Sequence, residues 1–414
     1  MLGVAAAHLG AGLGTVLGSI TWGRLADVWG RKHAFIWCIV VLVVFTAASA
    51  FTPVNGWVLL AILRTGVGFG VGGLNITSVP YVQEFVPAKQ RGLLSGLTSV
   101  FIPAGIFLGG LVTKYLGAAL GWRGLIAIGC IPIVLLAWAR FIPESPRFLQ
   151  SKGREEEALK ILDSLRPEGR AKPELAEIEA ASKEEAGRVN MTISEIFSNK
   201  NLVRILLIGC GIGFFQQTTG INSILYYGEK VLEESGFSTG AALIANIAPA
   251  TISVIAAIVA LQMMDRFSRR KTFMWGYGLV AITHVLIATA AGLLPESDAK
   301  PFVLLALIVF FVGAMQLCLN VATWVTLSEI FPLKMRAFGM GLSVFVLWMT
   351  NSFLGLFFAS VIASIGLSMS FVVFAVLNAI AFVFVLAFVP ETKGRTLEQL
   401  ETDVMSGEIF KHGK

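Results

Sequence analysis

Long distances without a single charge are what most constrain this chain. The stretches 1–23, 34–63, 205–228, 237–264, 272–295 and 301–328 contain no Asp, Glu, Lys or Arg, and 337–390 contains none over a length that fits two crossings of a bilayer. About 20 mainly apolar residues in a helix span roughly 30 Å of hydrocarbon. Inside that hydrocarbon every backbone amide must be satisfied within its own helix or in a closed barrel, and these runs lack the period-two alternation of a barrel. With 56% apolar and only 14% charged residues, lipid is the solvent for most of the chain, and the expectation is an all-α integral membrane protein.

Other readings fall away on the same grounds. Cys38, Cys130, Cys210 and Cys318 lie far apart inside apolar runs, and His8, His33, His284 and His412 are equally scattered. Neither set has the spacing of a disulfide framework or a metal site, so no metal and no cofactor are expected. No nucleophile, base and orienting acid converge, so neither catalytic residues nor an enzyme is expected. The N-terminus lacks the basic stretch and cleavage signal of a signal peptide. The net charge of +6 reads as membrane topology rather than a nucleic-acid surface.

Dividing the runs at charged or Pro/Gly-rich breaks gives eleven spans, near 3–23, 34–52, 57–83, 92–116, 122–141, 202–230, 238–264, 272–293, 301–328, 337–363 and 367–389. Lys and Arg concentrate in alternate connections, which by the positive-inside rule are cytoplasmic, together with the C-terminus. The long polar insert 144–200 carries Ala158, Leu159, Ile161, Leu162 and Leu165 at helical spacing and reads as short amphipathic helices against that face. The organisation expected is a helical bundle at 1–142 with five spans, a linker at 143–200, a second bundle at 201–390 with six spans, and a tail at 391–414. Glycines 66, 68, 70, 72 and 73, and Gly105 with Gly109, read as close helix packing.

The two halves repeat. Asp27-Val-Trp-Gly-Arg31-Lys32 returns as Asp265-Arg-Phe-Ser-Arg-Arg270-Lys271, Pro80-Tyr-Val-Gln-Glu84-Phe-Val-Pro87 with Arg91 as Val325-Thr-Leu-Ser-Glu329-Ile-Phe-Pro332 with Arg336, and Pro143-Glu-Ser-Pro-Arg147 as Pro390-Glu-Thr-Lys-Gly-Arg395. Order and separation are nearly constant, as parallel structural repeats require. Asp265 lies a helix and a loop deeper into its half than Asp27 does. The expectation is a twelve-helix plan without its first helix, whether by truncation or by start-site choice.

These residues, with Gln216-Gln217-Thr-Thr-Gly220-Ile221-Asn222 and Trp324 ahead of Ser328-Glu329-Ile-Phe-Pro332, resemble the sugar porter family of the major facilitator superfamily over essentially the whole chain. The resemblance implies two pseudo-symmetric helical bundles and transport of a sugar or polyol by alternating access, in a cell (plasma) membrane. The partners implied are the lipid bilayer, a small-molecule solute and, for a symporter, protons. An organic-anion transporter of the same superfamily and a non-transporting nutrient sensor stand as alternatives.

Two groups of residues carry the functional expectation. Asp27, Arg31, Glu84, Arg91, Glu144, Arg147, Asp265, Arg269, Glu329 and Arg336 cluster at cytoplasmic helix ends and read as an ion-pair gate that ties the two bundles shut on the inside and breaks for inward opening. Helix-end charge alone would account for the cations but not the carboxylates. Gln216, Gln217, Asn222, Tyr226, Gln316, Trp324, Trp348 and Asn351 are polar or amphipathic side chains inside spans, where such groups face a cavity or a partner helix. Neutral amides donate and accept as sugar hydroxyls do, and Trp faces stack on C–H surfaces. The resemblance gives the same eight residues sugar-contact roles; for Asn320, contact and interhelical bonding weigh equally.

Three departures from the family pattern qualify this. Ser99 stands where the family has a glutamine, Ser253 where it has an asparagine, and the stretch before Trp324 lacks the usual prolines. A site with fewer long amides suits something other than an ordinary hexose, and a helix without proline bends less readily. Arg64 sits alone between uncharged runs; it reads as a headgroup contact, a proton-coupling group or a site for a substrate carboxylate.

Overall fold

The computed structural model describes residues 2–410 apart from 54, 87, 168, 187–190, 264–266, 296 and 394–396, with side chains described outside 2–9, 88–96, 98–99, 181–186, 239, 243, 333, 337, 397–398 and 401. The described residues are helical almost throughout, and no strand occurs among them. They separate into two compact units: residues 2–98 with 120–190, and residues 99–119 with 191–410.

In the first unit, α1 (Leu2–Trp29), α2 (Arg31–Ala50) and α3 (Trp57–Phe85) pack together. A Cβ on Gly68 or Gly72 of α3 would overlap the carbonyl oxygens of Ala11 and Thr15 on α1. The glycines therefore let two backbones touch, and Ser19 Oγ donates across the contact to the Gly72 carbonyl at 3.2 Å. The glycine-rich stretch in α3 is packing, as expected. Gly105 and Gly109 differ: a Cβ at either would meet nothing within 4 Å among the described residues. They lie on α4 (Ala88–Ile128), which breaks at Gly121 with φ 62° and is followed by α5 (Ile133–Ala139).

The insert forms α6 (Pro146–Ser151), α7 (Glu155–Leu165) and α8 (Ala171–Ala186). Leu162, Ala171 and Ile178 bury themselves against Leu159 and Leu175, and Ala158 is fully buried. The expected apolar stripe is real except at its end, where Leu165 stays 44% exposed. There the chain turns at Arg166, which forks onto Glu174 at 2.6 and 2.9 Å and donates to the Phe85 carbonyl at 2.8 Å. One guanidinium thus ties the insert to the open end of α3.

The second unit continues with α9 (Ile193–Ser198), α10 (Lys200–Thr218), α11 (Ile221–Glu234), α12 (Thr239–Ala245), α13 (Ile247–Met263), α14 (Arg269–Leu293) and α15 (Lys300–Met315). A π-turn at Gln316–Asn320 leads into α16 (Val321–Glu329), then α17 (Arg336–Phe388) and α18 (Leu397–Ser406). Phe273, Tyr277, Phe311, Phe331 and Phe371 are buried at its centre, whereas Trp275, Ile282, Phe302 and Val383 point outward and are more than half exposed. An apolar exterior of this kind belongs in lipid. The tail is docked rather than free. Leu400, Val404, Ile409 and Phe410 are buried, Asn201 donates to the Met405 carbonyl at 3.1 Å, and the Arg204 guanidinium lies 4.2 Å over the Phe410 ring.

Among the described residues, eight helical stretches are long and apolar enough to cross a membrane. Two of them, Val100–Ala139 and Phe338–Phe388, are broken at Gly121 and at Gly366, with φ 62° and 77°. Only glycine enters that left-handed region freely, so each long stretch is divided into two helical segments at its glycine. With these two stretches divided at their glycines and α1 included, the eleven expected spans are all present among the described residues, and the two breaks lie one repeat apart in the sequence.

Candidate functional site

The polar residues of the second unit begin at a broken helix. The span expected over 202–230 is present, but it is interrupted where Gly220 takes φ 83°, ending α10 and starting α11. In an unbroken helix, residues five apart stand about 140° apart around the axis and could not meet. Across the break they do: Asn222 Nδ2 donates to Gln217 Oε1 at 2.6 Å, and Gln217 Nε2 donates to Gln216 Oε1 at 2.7 Å. Gln216 and Gln217 are buried at 5% and 4% exposure, so the three amides form one polarised relay. The Thr218-Thr219-Gly220 sequence, a helix stop followed by glycine, carried the signal for the break.

Two further amides stand on other helices. Asn351 Nδ2, on α17, donates to the Tyr226 hydroxyl at 3.3 Å, and Gln316 Nε2 donates to Ser253 Oγ on α13 at 2.5 Å. Among the described residues Asn351 Oδ1 and Gln316 Oε1 are buried and accept no hydrogen bond, and the Ser223 hydroxyl has no partner either. A buried acceptor without a partner costs about 1–3 kcal/mol, so such atoms mark a place for a donor. Trp324 on α16, Trp348 on α17 and Asn320 are half-buried. Ser253 is more than a shortened contact, since it fastens Gln316. The helix before Trp324 also obtains its irregularity without proline, from the π-turn that begins at Gln316.

The charged motifs pair within each unit. In the first, Arg31 bridges Asp27 at 2.6 Å and Glu84 at 3.4 Å. Glu144 accepts from the Lys32 backbone amide at 3.0 Å and the Ser145 amide at 2.9 Å, and lies 3.4 Å from His33 Nδ1. In the second, Arg269 meets Glu329 at 3.2 Å, and Thr392 donates to the same carboxylate at 2.7 Å. Glu391 accepts from Ser268 Oγ and from the backbone amides of Arg269 and Arg270 at 3.1 and 3.3 Å. Each Pro-Glu motif therefore places a carboxylate on the N-terminus of the helix that carries the repeated arginine, where free amides and the helix dipole favour it.

Burial raises the pKa of Glu391, but the bonds from Ser268 and the amides of Lys393, Arg270 and Arg269 outweigh it and hold the carboxyl below the usual range. Arg147 is exposed and Arg336 half-buried. Arg91, Asp265 and Ser99 lie outside the residues whose side chains are described. Arg64 is half-buried in α3, with no ion pair among the described residues.

Residues 7–404 match the family described as "Sugar (and other) transporter". The major myo-inositol transporter IolT of Bacillus subtilis (strain 168) is 40% identical over 394 residues, which are 94% of this chain and 83% of that protein. The arabinose-proton symporter of the same organism is 33% identical over 399 residues, 94% and 84% of the two chains. The inward open structure of the xylose transporter XylE from E. coli matches with a TM-score of 0.79 at 28% identity, covering 97% of this chain and 90% of that one.

Proposed function

The chain belongs to the sugar (and other) transporter family, with the major facilitator fold, and on that premise we propose that it carries a cyclic polyol or a similar hydroxyl-rich solute across the cell membrane by alternating access. The observation that carries this reading is the set of neutral amides in the second unit: the Gln216–Gln217–Asn222 relay, with the oxygens of Gln316 and Asn351 that have no partner among the described residues. Alcohol hydroxyls can donate to those oxygens and accept from amide N–H groups, while Trp324 and Trp348 offer faces for C–H surfaces. The likeness to a myo-inositol transporter, and serines at 99 and 253 where an ordinary hexose site has longer amides, favour a cyclitol.

Residues 1–142 and 201–390 act as the two bundles, 143–200 as the linker and 391–414 as the tail, with linker and C-terminus in the cytoplasm. The pairs Arg31–Glu84 and Arg269–Glu329 hold the charged helix ends together within each half; loosening them accompanies inward opening. Both pairs are largely buried, with side-chain exposures of 24% and 11% in the first and 10% and 27% in the second, so separating either leaves a partly desolvated charge and costs more than the roughly 0–1 kcal/mol of a surface pair. Arg64 serves proton coupling, which the likeness to an arabinose-proton symporter supports. A second reading, an organic-anion carrier, is favoured by one fact: Arg64 is half-buried without an ion pair among the described residues.

The test is uptake of labelled myo-inositol into cells or proteoliposomes bearing the purified chain, with and without a protonophore and with organic acids as competitors. Saturable uptake insensitive to organic acids supports the reading. Uptake of organic acids instead of any polyol would overturn it, and indifference to the protonophore would remove proton coupling.

A further inference from the structure

Two of the amides share a pattern that the polyol reading does not require. Gln316 and Asn351 each direct their nitrogen at a hydroxyl of the protein, that of Ser253 in one case and of Tyr226 in the other, and each leaves a buried oxygen without a partner among the described residues. A primary amide has a donor face and an acceptor face, so whichever face the protein occupies, the other is left for a ligand.

Resting on the reading of Gln316 as a solute contact, we propose that Ser253 is a positioning residue. By engaging the Gln316 nitrogen it turns the carbonyl oxygen toward the solute, and so selects a solute that donates an O–H at that point over one that only accepts there. Ser253 is 1% exposed and Gln316 6%, so no bulk water competes for the bond. Ser253 stands on α13, whereas Gln316 is the first residue of the π-turn. Contact between α13 and that turn keeps the two groups in register. Tyr226 orients Asn351 in the same sense, giving the site two acceptors with one polarity. The solute class that follows is a fully hydroxylated ring, and the class disfavoured is one with a fluoride, an ether oxygen or a carbonyl at those positions.

The experiment compares uptake of myo-inositol with that of its single-position deoxy and fluoro analogues. Fluorine keeps the acceptor character of the position and removes its proton, so an acceptor site rejects both analogues, whereas a donor site tolerates the fluoro compound. In the parent protein one position should discriminate against both by about two- to tenfold in KM, the scale of one hydrogen bond. In Ser253→Ala the freed amide can present its N–H groups, so the fluoro analogue should recover relative to the deoxy one. Ser253→Thr, which keeps the hydroxyl, should retain the parent ratio.

Protein amount at the membrane is measured for each variant, and the KM ratio between analogues is independent of it. A Ser253→Ala protein with the parental ratio, alongside a Gln316→Ala protein with impaired uptake, overturns this inference alone. Absence of myo-inositol uptake by the parent, or normal uptake by Gln316→Ala, overturns the site reading and this inference with it.

Discussion

Replacing Gln217 by alanine tests the site at its middle link. The side chain accepts from Asn222 at 2.6 Å and donates to Gln216 at 2.7 Å, so Gln217→Ala removes two hydrogen bonds and strands a partner at each end. Asn222 is half-buried and can turn to the solute or to water. Gln216, at 5% exposure, has less freedom, and its stranded oxygen carries most of the penalty, about 1–3 kcal/mol. Where the relay holds amides ready for the solute, that loss appears as weaker binding, about 5- to 150-fold in KM. The measurement is concentration-dependent uptake of labelled myo-inositol in proteoliposomes, normalised to incorporated protein. A Gln217→Ala protein that inserts normally and transports with unchanged KM would refute the assignment of the relay to the solute.

Other outcomes follow from features outside the relay. Gly72→Leu places side-chain atoms against the Thr15 carbonyl and should abolish folded protein, read as loss of a monodisperse peak on extraction; full recovery would show that α1 and α3 are not in backbone contact. Glu391, held below the usual carboxylate range, stabilises the fold fully above its unfolded value near about pH 4.3 and stops doing so as pH falls through its lower folded value. Glu391→Gln should therefore melt below the parent at pH 7, with the gap closing as pH falls through the lowered value of the folded carboxyl; a gap independent of pH would contradict the amide-bonded carboxylate. Glu329→Gln weakens the contact with Arg269 at 3.2 Å and should raise labelling of a cysteine substituted for half-buried Asn320; unchanged labelling would remove Glu329 from the proposed gate.

The spans could be read from the chain because a bilayer imposes length and apolarity on each segment separately, so 337–390 announced its two crossings without reference to any neighbour. Amphipathy was equally local, and Ala158 and Leu162 are buried as their spacing indicates. Leu165 broke the pattern because Arg166 turns the chain there to reach Phe85 and Glu174. What spacing could not supply was pairing. Glu144 and Glu391 sit near arginines in the sequence, yet both take backbone amides at the start of a distant helix. The tie from Gln316 to Ser253, sixty-three residues apart, likewise depends on which faces of two helices meet. Gly105 and Gly109 have the same small-residue spacing as the packed glycines of α3 and no neighbour among the described residues, so spacing identifies a surface suited to close approach without identifying an approach.

The π-turn at Gln316–Asn320 also sets an angular phase. Each residue advances an α-helix by about 100°, and a wide turn takes up one more residue than an α-turn would. Deleting one residue between 316 and 320 would let α15 and α16 fuse into a regular helix with Trp324 on nearly its present side, whereas straightening the turn with all its residues kept would carry Trp324 and all that follows about 100° around the axis relative to Gln316. Counting in fours from Gln316 therefore names the solute-facing side chains only as far as the turn. Beyond it the helix keeps a different reading frame, and an alignment that closes a gap here would assign every later position to the wrong side.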